Sequence, residues 1–191
     1  MVGEKDYILM SKDRFLKNIE AYGSDPYGLK SHVPEAEKWA IKIQKTHPDA
    51  DLEIVRVAIW LHDIGHYPKD DTDHALKSER IARDFLSSIA YPPDRMERVL
   101  HCVRSHRCAD VIPYTIEAKI VACADSASHF TDSIYFDMTH KDKEMGRDFK
   151  VFGKLERDLR DISMFPEVLA ELKAMHDAWK DLFEAYRKID I

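Results

Sequence analysis

The fold is decided by residues 60–66, WLHDIGH, which close the most apolar segment of the chain. Residues 51–61 are apolar on almost every side, so they are predicted to form a helix in the middle of the domain. Gly65 is predicted to end that helix. An imidazole (His62) and a carboxylate (Asp63) at a buried helix end cost free energy unless something compensates them, and a metal cation would bind both.

The pair formed by His62 and Asp63 also has a more common structural explanation. A histidine at a helix C-terminus is usually a cation that interacts with the helix dipole, with a nearby carboxylate balancing its charge. The pair alone therefore does not establish a metal site. Further histidines and aspartates on the apolar faces of other helices are what would indicate one.

The composition is that of one globular, mainly helical domain. The chain has 191 residues, of which 45% are hydrophobic and 34% charged, and its 6 Gly and 8 Pro allow few turns. The formal net charge of -6 disfavours binding to nucleic acid or to an anionic membrane. No apolar run approaches the roughly 20 residues that span a bilayer, and the N-terminus lacks the features of a signal peptide, so a cytoplasmic location is expected. Three cysteines leave one unpaired, which argues against a disulfide framework.

Periodic apolar residues predict further helices on both sides of the central one. A first helix covers residues 7–22, and a second opens at residues 31–35, where Pro34 suits the first helical turn. Downstream, helices are predicted at residues 74–89 and 94–106, after Thr115, and at about residues 149–163 and 167–188. The apolar residues of the last two helices are assigned to packing: Leu155, Leu159, Ile162, Leu169, Leu172, Trp179, Leu182 and Phe183.

Residues 137–148 are rich in Asp, Lys and Glu. They are predicted to form a solvated loop, with ordering over a ligand as a hypothesis. The prediction for the whole chain, residues 1–191, is an all-α, single-domain helical bundle whose C-terminal helices pack on the segment that carries the motifs.

Several flanking helices present a metal-binding residue type on an apolar face. His32 lies at the entrance of the second helix, and His74 and His106 share faces with core residues. Asp125 follows apolar residues at helical spacing, and a buried carboxylate needs a partner. The ordinary alternatives are a surface histidine for His32 and a structural hydrogen-bonded carboxylate for Asp125. His129 shares the face of Asp125 and is a candidate for the outer layer of a metal site.

The predicted ligand set combines two imidazoles and two carboxylates from three helices: His32, His62, Asp63 and Asp125. Mixed nitrogen and oxygen donors suit Mn²⁺, Fe²⁺, Co²⁺, Ni²⁺ or Zn²⁺ better than Mg²⁺ or Ca²⁺. His74 and His106 are candidate ligands of a second ion, so one or two ions remain open. Two ions about 4 Å apart would hold a phosphoryl group and activate a water for in-line attack.

This ordered set resembles the HD superfamily of metal-dependent phosphohydrolases. The family pattern is an isolated His, then His-Asp, then a distant Asp in an all-helical domain, and His32, His62-Asp63 and Asp125 are similar to it in order and separation. Residues 74–82, 103–106 and 117–125 also resemble the family's later segments. The resemblance covers residues 29–130 and leaves the C-terminal helices without a recognised motif.

The resemblance implies a fold of the HD-domain type and a metal-dependent hydrolase. The implied reaction cleaves a phosphoester or phosphoanhydride bond of a small phosphorylated substrate, often a nucleotide. Asp63 would belong to the catalytic centre. His66 stands where some branches place a catalytic Glu and is the predicted proton-transfer group. That substitution, and Ser126 where many relatives carry Lys or Arg, leave the branch of the family open.

Further residues are candidates for the second ion or for substrate phosphate. His74 and His106 are similar in position to histidines that serve these purposes in some branches of the family. Lys77, Arg104 and Arg107 lie close to them in sequence and are candidates for contacts with phosphate oxygens, with solvated surface charges as the alternative.

Two other functions remain open at this point. A few relatives use the same scaffold to hold two irons and act as oxygenases, which iron content and oxygen uptake would reveal. A non-catalytic, metal-stabilised ligand-binding module would bind its ligand without turnover. The expected partner is a small phosphorylated substrate, with no membrane or nucleic acid, and a homo-oligomer is neither predicted nor excluded.

Overall fold

The computed structural model describes residues 5–144 and 150–189, and within these ranges the chain forms nine α-helices and no strand. The prediction of an all-α fold is confirmed. In chain order the helices are α1 (Tyr7–Tyr22), α2 (Leu29–Gln44), α3 (Leu52–Leu61), α4 (His74–Ser88), α5 (Pro93–Ser105), α6 (Ile116–Thr131), α7 (Ile134–Glu144), α8 (Lys150–Ile162) and α9 (Pro166–Arg187), with a 3-10 turn at Ile64–His66. None of these described helices is long and apolar enough to cross a bilayer.

Helix α3 is the centre of the fold, as its sequence predicted. The carboxylate of Asp51 caps its first turn by accepting the N–H groups of Glu53 and Ile54. From Ile54 to Leu61 every residue except Arg56 is buried, and the helix packs against α1, α2, α5 and α6. The end of α3 therefore opens into the interior of the bundle.

Helix α2 begins earlier than the sequence predicted. It starts at Leu29, after Gly28 in the left-handed conformation (φ 68°), and Pro34 lies inside the helix. The prediction of a start at residues 31–35 was wrong because the Asp25 carboxylate accepts the N–H groups of Leu29 and Lys30, which satisfies the first turn further upstream. His32 consequently lies within that turn, pointing inward and only 5% exposed.

Gly65 does not end α3 by adopting a left-handed conformation. The helix ends at Leu61, and Gly65 lies in the 3-10 turn without a positive φ. A Cβ at this position would lie 2.5 Å from the backbone O of His74 and 2.5 Å from the backbone N of Ser78. The prediction of a helix-terminating glycine was wrong because the position serves the close approach of α4 to the turn.

The C-terminal third differs from the prediction in one segment. Residues 137–144 belong to α7 instead of a solvated loop, and the rest of the predicted loop lies outside the described residues. The two further helices are confirmed as α8 and α9, except that Phe149 lies outside the described residues. Among their apolar residues, Leu155, Ile162, Leu172 and Phe183 belong to the core. Leu182 does not, because it is 43% exposed.

Candidate metal centre

Helices α2 and α6 and the end of α3 bring the four predicted ligands together. Nε2 of His32 lies 3.0 Å from Oδ1 of Asp125 and 3.8 Å from Oδ2 of Asp63. Nε2 of His62 lies 3.4 Å from the same oxygen of Asp125 and 3.5 Å from the same oxygen of Asp63. Two nitrogens and two oxygens from distant parts of the sequence thus lie close together. Two groups have all their ligand atoms within 4.8 Å of one another, and both contain His32: one adds His62 and Asp63, the other Asp125 and His129.

The hydrogen bonding of His62 tests whether this cluster fits a cation. Its side chain is fully buried, and Nδ1 donates to the carbonyl oxygen of Ile59 at 2.7 Å. In the neutral imidazole Nε2 therefore carries the lone pair, and it has no hydrogen-bond partner in the part of the chain that the structure describes. A buried acceptor without a partner is costly, and a divalent cation would satisfy it. The residues present fit a metal ion.

A second cluster lies on the other oxygen of Asp63. Oδ1 of Asp63 lies 3.5 Å from Nε2 of His66, 3.4 Å from Nε2 of His74 and 3.5 Å from Nε2 of His106. The imidazole of His106 donates from Nδ1 to the carbonyl oxygen of Val103 at 2.7 Å, so its Nε2 also faces the cluster as a lone pair. Asp63 therefore lies between two sets of side chains of metal-binding types, one facing each of its oxygens.

The electrostatics of the first cluster favour positive charge. Burial by itself lowers the pKa of His32, but the hydrogen bonds with Asp125 and Asp132 outweigh burial and raise this pKa to about 10. Burial raises the pKa of Asp63 and that of Asp125, yet the surrounding histidines outweigh burial and hold both well below their usual range. The site therefore stabilises ionised carboxylates next to a cation.

The second cluster holds its imidazoles neutral. Burial is the main cause that lowers the pKa of His74 to about 3 and that of His106 to about 4. Neutral imidazole is the form that binds a metal ion. The two Nε2 atoms lie 3.2 Å apart. Because Nδ1 of His106 carries its proton, Nε2 of His106 accepts a hydrogen bond from Nε2 of His74 beside the Asp63 carboxylate.

Two residues that the sequence analysis did not single out support His32. Nδ1 of His32 lies 3.0 Å from Oδ2 of Asp132 and 3.1 Å from Oγ of Ser128. A carboxylate on the second nitrogen fixes the orientation of a ligating histidine. Asp132 follows Asp125 by seven residues, two helical turns, and this spacing was the signal that could have revealed it.

His129 adjoins the first cluster, and together with His32 and Asp125 it forms a group whose ligand atoms lie close enough to hold an ion. Its ring stacks on that of His32 with centroids 4.9 Å apart, and its Nε2 lies 3.6 Å from Oδ1 of Asp125. On its other side, Nδ1 lies 2.9 Å from Nζ of Lys154 and 3.2 Å from Oδ2 of Asp158. His129 thus connects the metal cluster to α8.

A cavity of about 560 Å³ opens over both clusters. The predicted site residues that line it are His32, Asp63, His66, His74, His106, Arg107 and Asp125. Lys77 and Arg104 are not among its lining residues: Lys77 lies against Asp70 and Arg104 against Asp110. Arg107 lines the cavity while forming an ion pair with Asp73.

Helices α7 and α8 contribute cations to the cavity that the sequence analysis missed: Lys141, Lys154, Arg157 and Arg160. The three on α8 are spaced by three residues, so they share one side of that helix. Their spacing is also that of an ordinary solvated helix face, and only the packing of α8 against α6 shows that they face the cavity.

The sequence was compared with models of known protein families. The family model described as HD domain matches residues 30–128. That is more than half of the chain, and it contains His32, His62, Asp63 and Asp125 in the expected order.

The chain belongs to the HD domain family.

HD domains bind divalent metal ions and are mostly metal-dependent phosphohydrolases. No curated protein and no solved structure gives a significant match. The match ends before His129, so α7, α8 and α9 and the cavity wall that α7 and α8 provide lie outside it.

Proposed function

We propose that this HD domain protein is a metal-dependent phosphohydrolase that cleaves a phosphoester or phosphoanhydride bond of a small phosphorylated substrate, a nucleotide. The observation that carries the proposal is the position of Asp63. Its two carboxylate oxygens face two different histidine clusters, with Oδ2 3.5 Å from Nε2 of His62 and Oδ1 3.4 Å from Nε2 of His74. A carboxylate with one oxygen facing each cluster could bind two neighbouring ions at once.

In this proposal His32, His62, Asp63 and Asp125 hold one ion of Mn, Fe, Co, Ni or Zn. Asp63, His74 and His106 hold the second. Divalent ions of this kind lower the pKa of a bound water and offset the charge that develops on phosphorus. Asp132 keeps the ring of His32 in its ligating orientation through the contact at Nδ1.

His66 is the proposed proton-transfer residue. Its side chain is about one fifth exposed and lines the cavity, so a substrate can reach it. Its ring lies between those of Tyr27 and His74, with centroids 4.6 Å and 4.1 Å away, which fixes its orientation. A positioned general acid or base of this kind contributes about 10²–10⁴ in rate.

The cavity supports a nucleotide as the substrate. Its volume lies in the range of small-molecule sites, about 300–1,000 Å³. Apolar side chains of Leu29, Ile134 and Met138 line one part, together with the partly exposed ring of Tyr27. A nucleoside could pack against these groups while its phosphate lies over the metal centre.

A phosphate-release assay tests the proposal. Metal-stripped protein is reloaded with Mn²⁺, Co²⁺, Ni²⁺ or Fe²⁺ and given a panel of nucleotides, with oxygen uptake measured in parallel. We expect phosphate release with at least one ion, and its loss in Asp63→Asn. The matched control Asp84→Asn replaces an exposed carboxylate on α4 that does not line the cavity and should keep the activity.

The outcomes separate the proposal from the other functions of the scaffold. Oxygen uptake without phosphate release would indicate a diiron oxygenase, and tight nucleotide binding without turnover a non-catalytic module. In His66→Ala we expect about a 10²–10⁴-fold loss of kcat with both ions retained. Loss of an ion in that variant would instead assign His66 to the second metal cluster.

A further inference from the structure

The cavity wall formed by α7 and α8 carries charges that the metal centre does not use. Two of its cations are neutralised locally. Nζ of Lys154 lies 3.0 Å from Oδ1 of Asp158, and Nε of Arg160 donates to Oδ1 of Asp161 at 2.9 Å. Neighbouring carboxylates on α8 therefore balance the charge of two of the four cations.

The other two cations, Arg157 and Lys141, have no carboxylate partner among the residues that the structure describes. Arg157 forms no ion pair or hydrogen bond with any residue that the structure describes. The ammonium group of Lys141 makes a single long contact, 3.5 Å to the carbonyl oxygen of Pro26. Both side chains are exposed, and both line the cavity that holds Asp63 and Asp125.

The position of Arg157 relates it to the metal centre. Lys154 contacts His129, which in turn contacts Asp125. Arg157 lies three residues beyond Lys154, about 4.5 Å further along the axis of α8. Arg157 and the carboxylates of Asp63 and Asp125 line the same cavity, so a substrate whose scissile phosphate lies at the metal ions could place a second anionic group against this arginine.

We propose that Arg157 and Lys141 form a subsite for a second phosphoryl group of the substrate, distinct from the one that is cleaved. A guanidinium group binds phosphate with two parallel N–H donors, and an ammonium group adds a point charge. This subsite rests on the proposed function. It selects compounds with at least two phosphate groups, such as nucleoside diphosphates, over the corresponding monophosphates.

Kinetics and binding test the subsite with adenosine mono- and diphosphate as probes. The measured quantity is the ratio of kcat/KM for the diphosphate to that for the monophosphate, in wild type, Arg157→Gln, Lys141→Gln and Arg157→Lys. The control is Arg14→Gln, which removes an exposed arginine of α1 that lies outside the cavity. Binding of the two probes to the Mn²⁺-loaded protein is measured by calorimetry, with the α,β-methylene analogue replacing the diphosphate.

We expect the ratio of kcat/KM values to fall about tenfold in Arg157→Gln and several-fold in Lys141→Gln. Arg157→Lys should recover part of the loss, and Arg14→Gln should leave the ratio unchanged. An unchanged ratio in Arg157→Gln overturns the subsite, whether both kcat/KM values stay the same or both fall by the same factor. If the wild type hydrolyses neither nucleotide, there is no kinetic ratio to compare and the calorimetry decides. The subsite then stands only if Arg157→Gln weakens the analogue about tenfold more than the monophosphate.

Discussion

Gly65→Ala should disturb the second metal cluster through the backbone of α4. The added Cβ would lie 2.5 Å from the backbone O of His74 and from the backbone N of Ser78. Ordinary contacts of a Cβ begin at 3.4 Å, so the turn and α4 must separate by about 0.9 Å. Neither neighbouring atom is the end of a flexible side chain, so the start of α4, with His74, must move away from Asp63.

The magnitude follows from the contacts at that position. Overpacking of a well-packed interior costs about 1–3 kcal/mol. The buried hydrogen bond from the N–H of Gly65 to Oγ of Ser78, 2.8 Å long, is worth about another 1 kcal/mol if the movement breaks it. We expect a loss of about 2–4 kcal/mol in the free energy of unfolding, or about 4–16 °C in Tm for a domain of this size.

Urea unfolding and a metal titration measure the two effects of Gly65→Ala separately. We expect reduced stability and a weakened second ion, because His74 lies on the displaced helix. Gly153→Ala is the matched control: this exposed glycine of α8 would meet only the end of the Arg157 side chain at 3.5 Å. It should gain about 0.5–1 kcal/mol. A Gly65→Ala protein that is as stable as the wild type and binds both ions equally well would show that the turn accommodates the methyl group without moving α4.

Three further predictions concern groups around the site and the core. Asp132→Ala should weaken metal binding by about 10–100-fold because His32 loses its orienting contact, and a metal titration that shows no change would contradict this. Chelation should lower Tm by about 5–10 °C for each ion removed if each is bound at about 100 times its Kd, as differential scanning fluorimetry would show. Burial raises the pKa of Glu117, but the N–H of Asp51 and the guanidinium of Arg98 outweigh it, so the pKa lies below its usual range. The pKa of Glu117 in the folded state is therefore lower than in the unfolded state, where it is about 4.3. As pH falls below about 4, the wild type should lose stability more steeply than Glu117→Gln. Acid-unfolding curves of the two proteins measure this difference.

Most of the helices, and the burial of the candidate metal-binding residues, follow from periodicity in the sequence. The apolar segment before His62 is long and uninterrupted, and burial of every residue but one from Ile54 to Leu61 is its direct consequence. Asp125 follows apolar residues at helical spacing, and its side chain is 13% exposed and faces His32. Local pattern was sufficient in both cases because the neighbouring residues on the helix already define which face is buried.

The remaining features depend on contacts between segments that are far apart in sequence. Gly65 looks like a helix terminator until α4 is seen packed against it. Arg157 looks like a solvated charge until α8 is seen lining the cavity. Asp25 caps α2 from a loop whose conformation the local sequence does not determine. In each case the residue type permits two roles, and only the tertiary packing selects one.

The most direct test of the account is the position of bound metal ions in crystals grown with Mn²⁺, located by anomalous scattering. We predict two ions, about 3.5–4 Å apart, with one carboxylate oxygen of Asp63 on each. Density for no ion, for a single ion, or for two ions that do not share Asp63 would contradict this prediction.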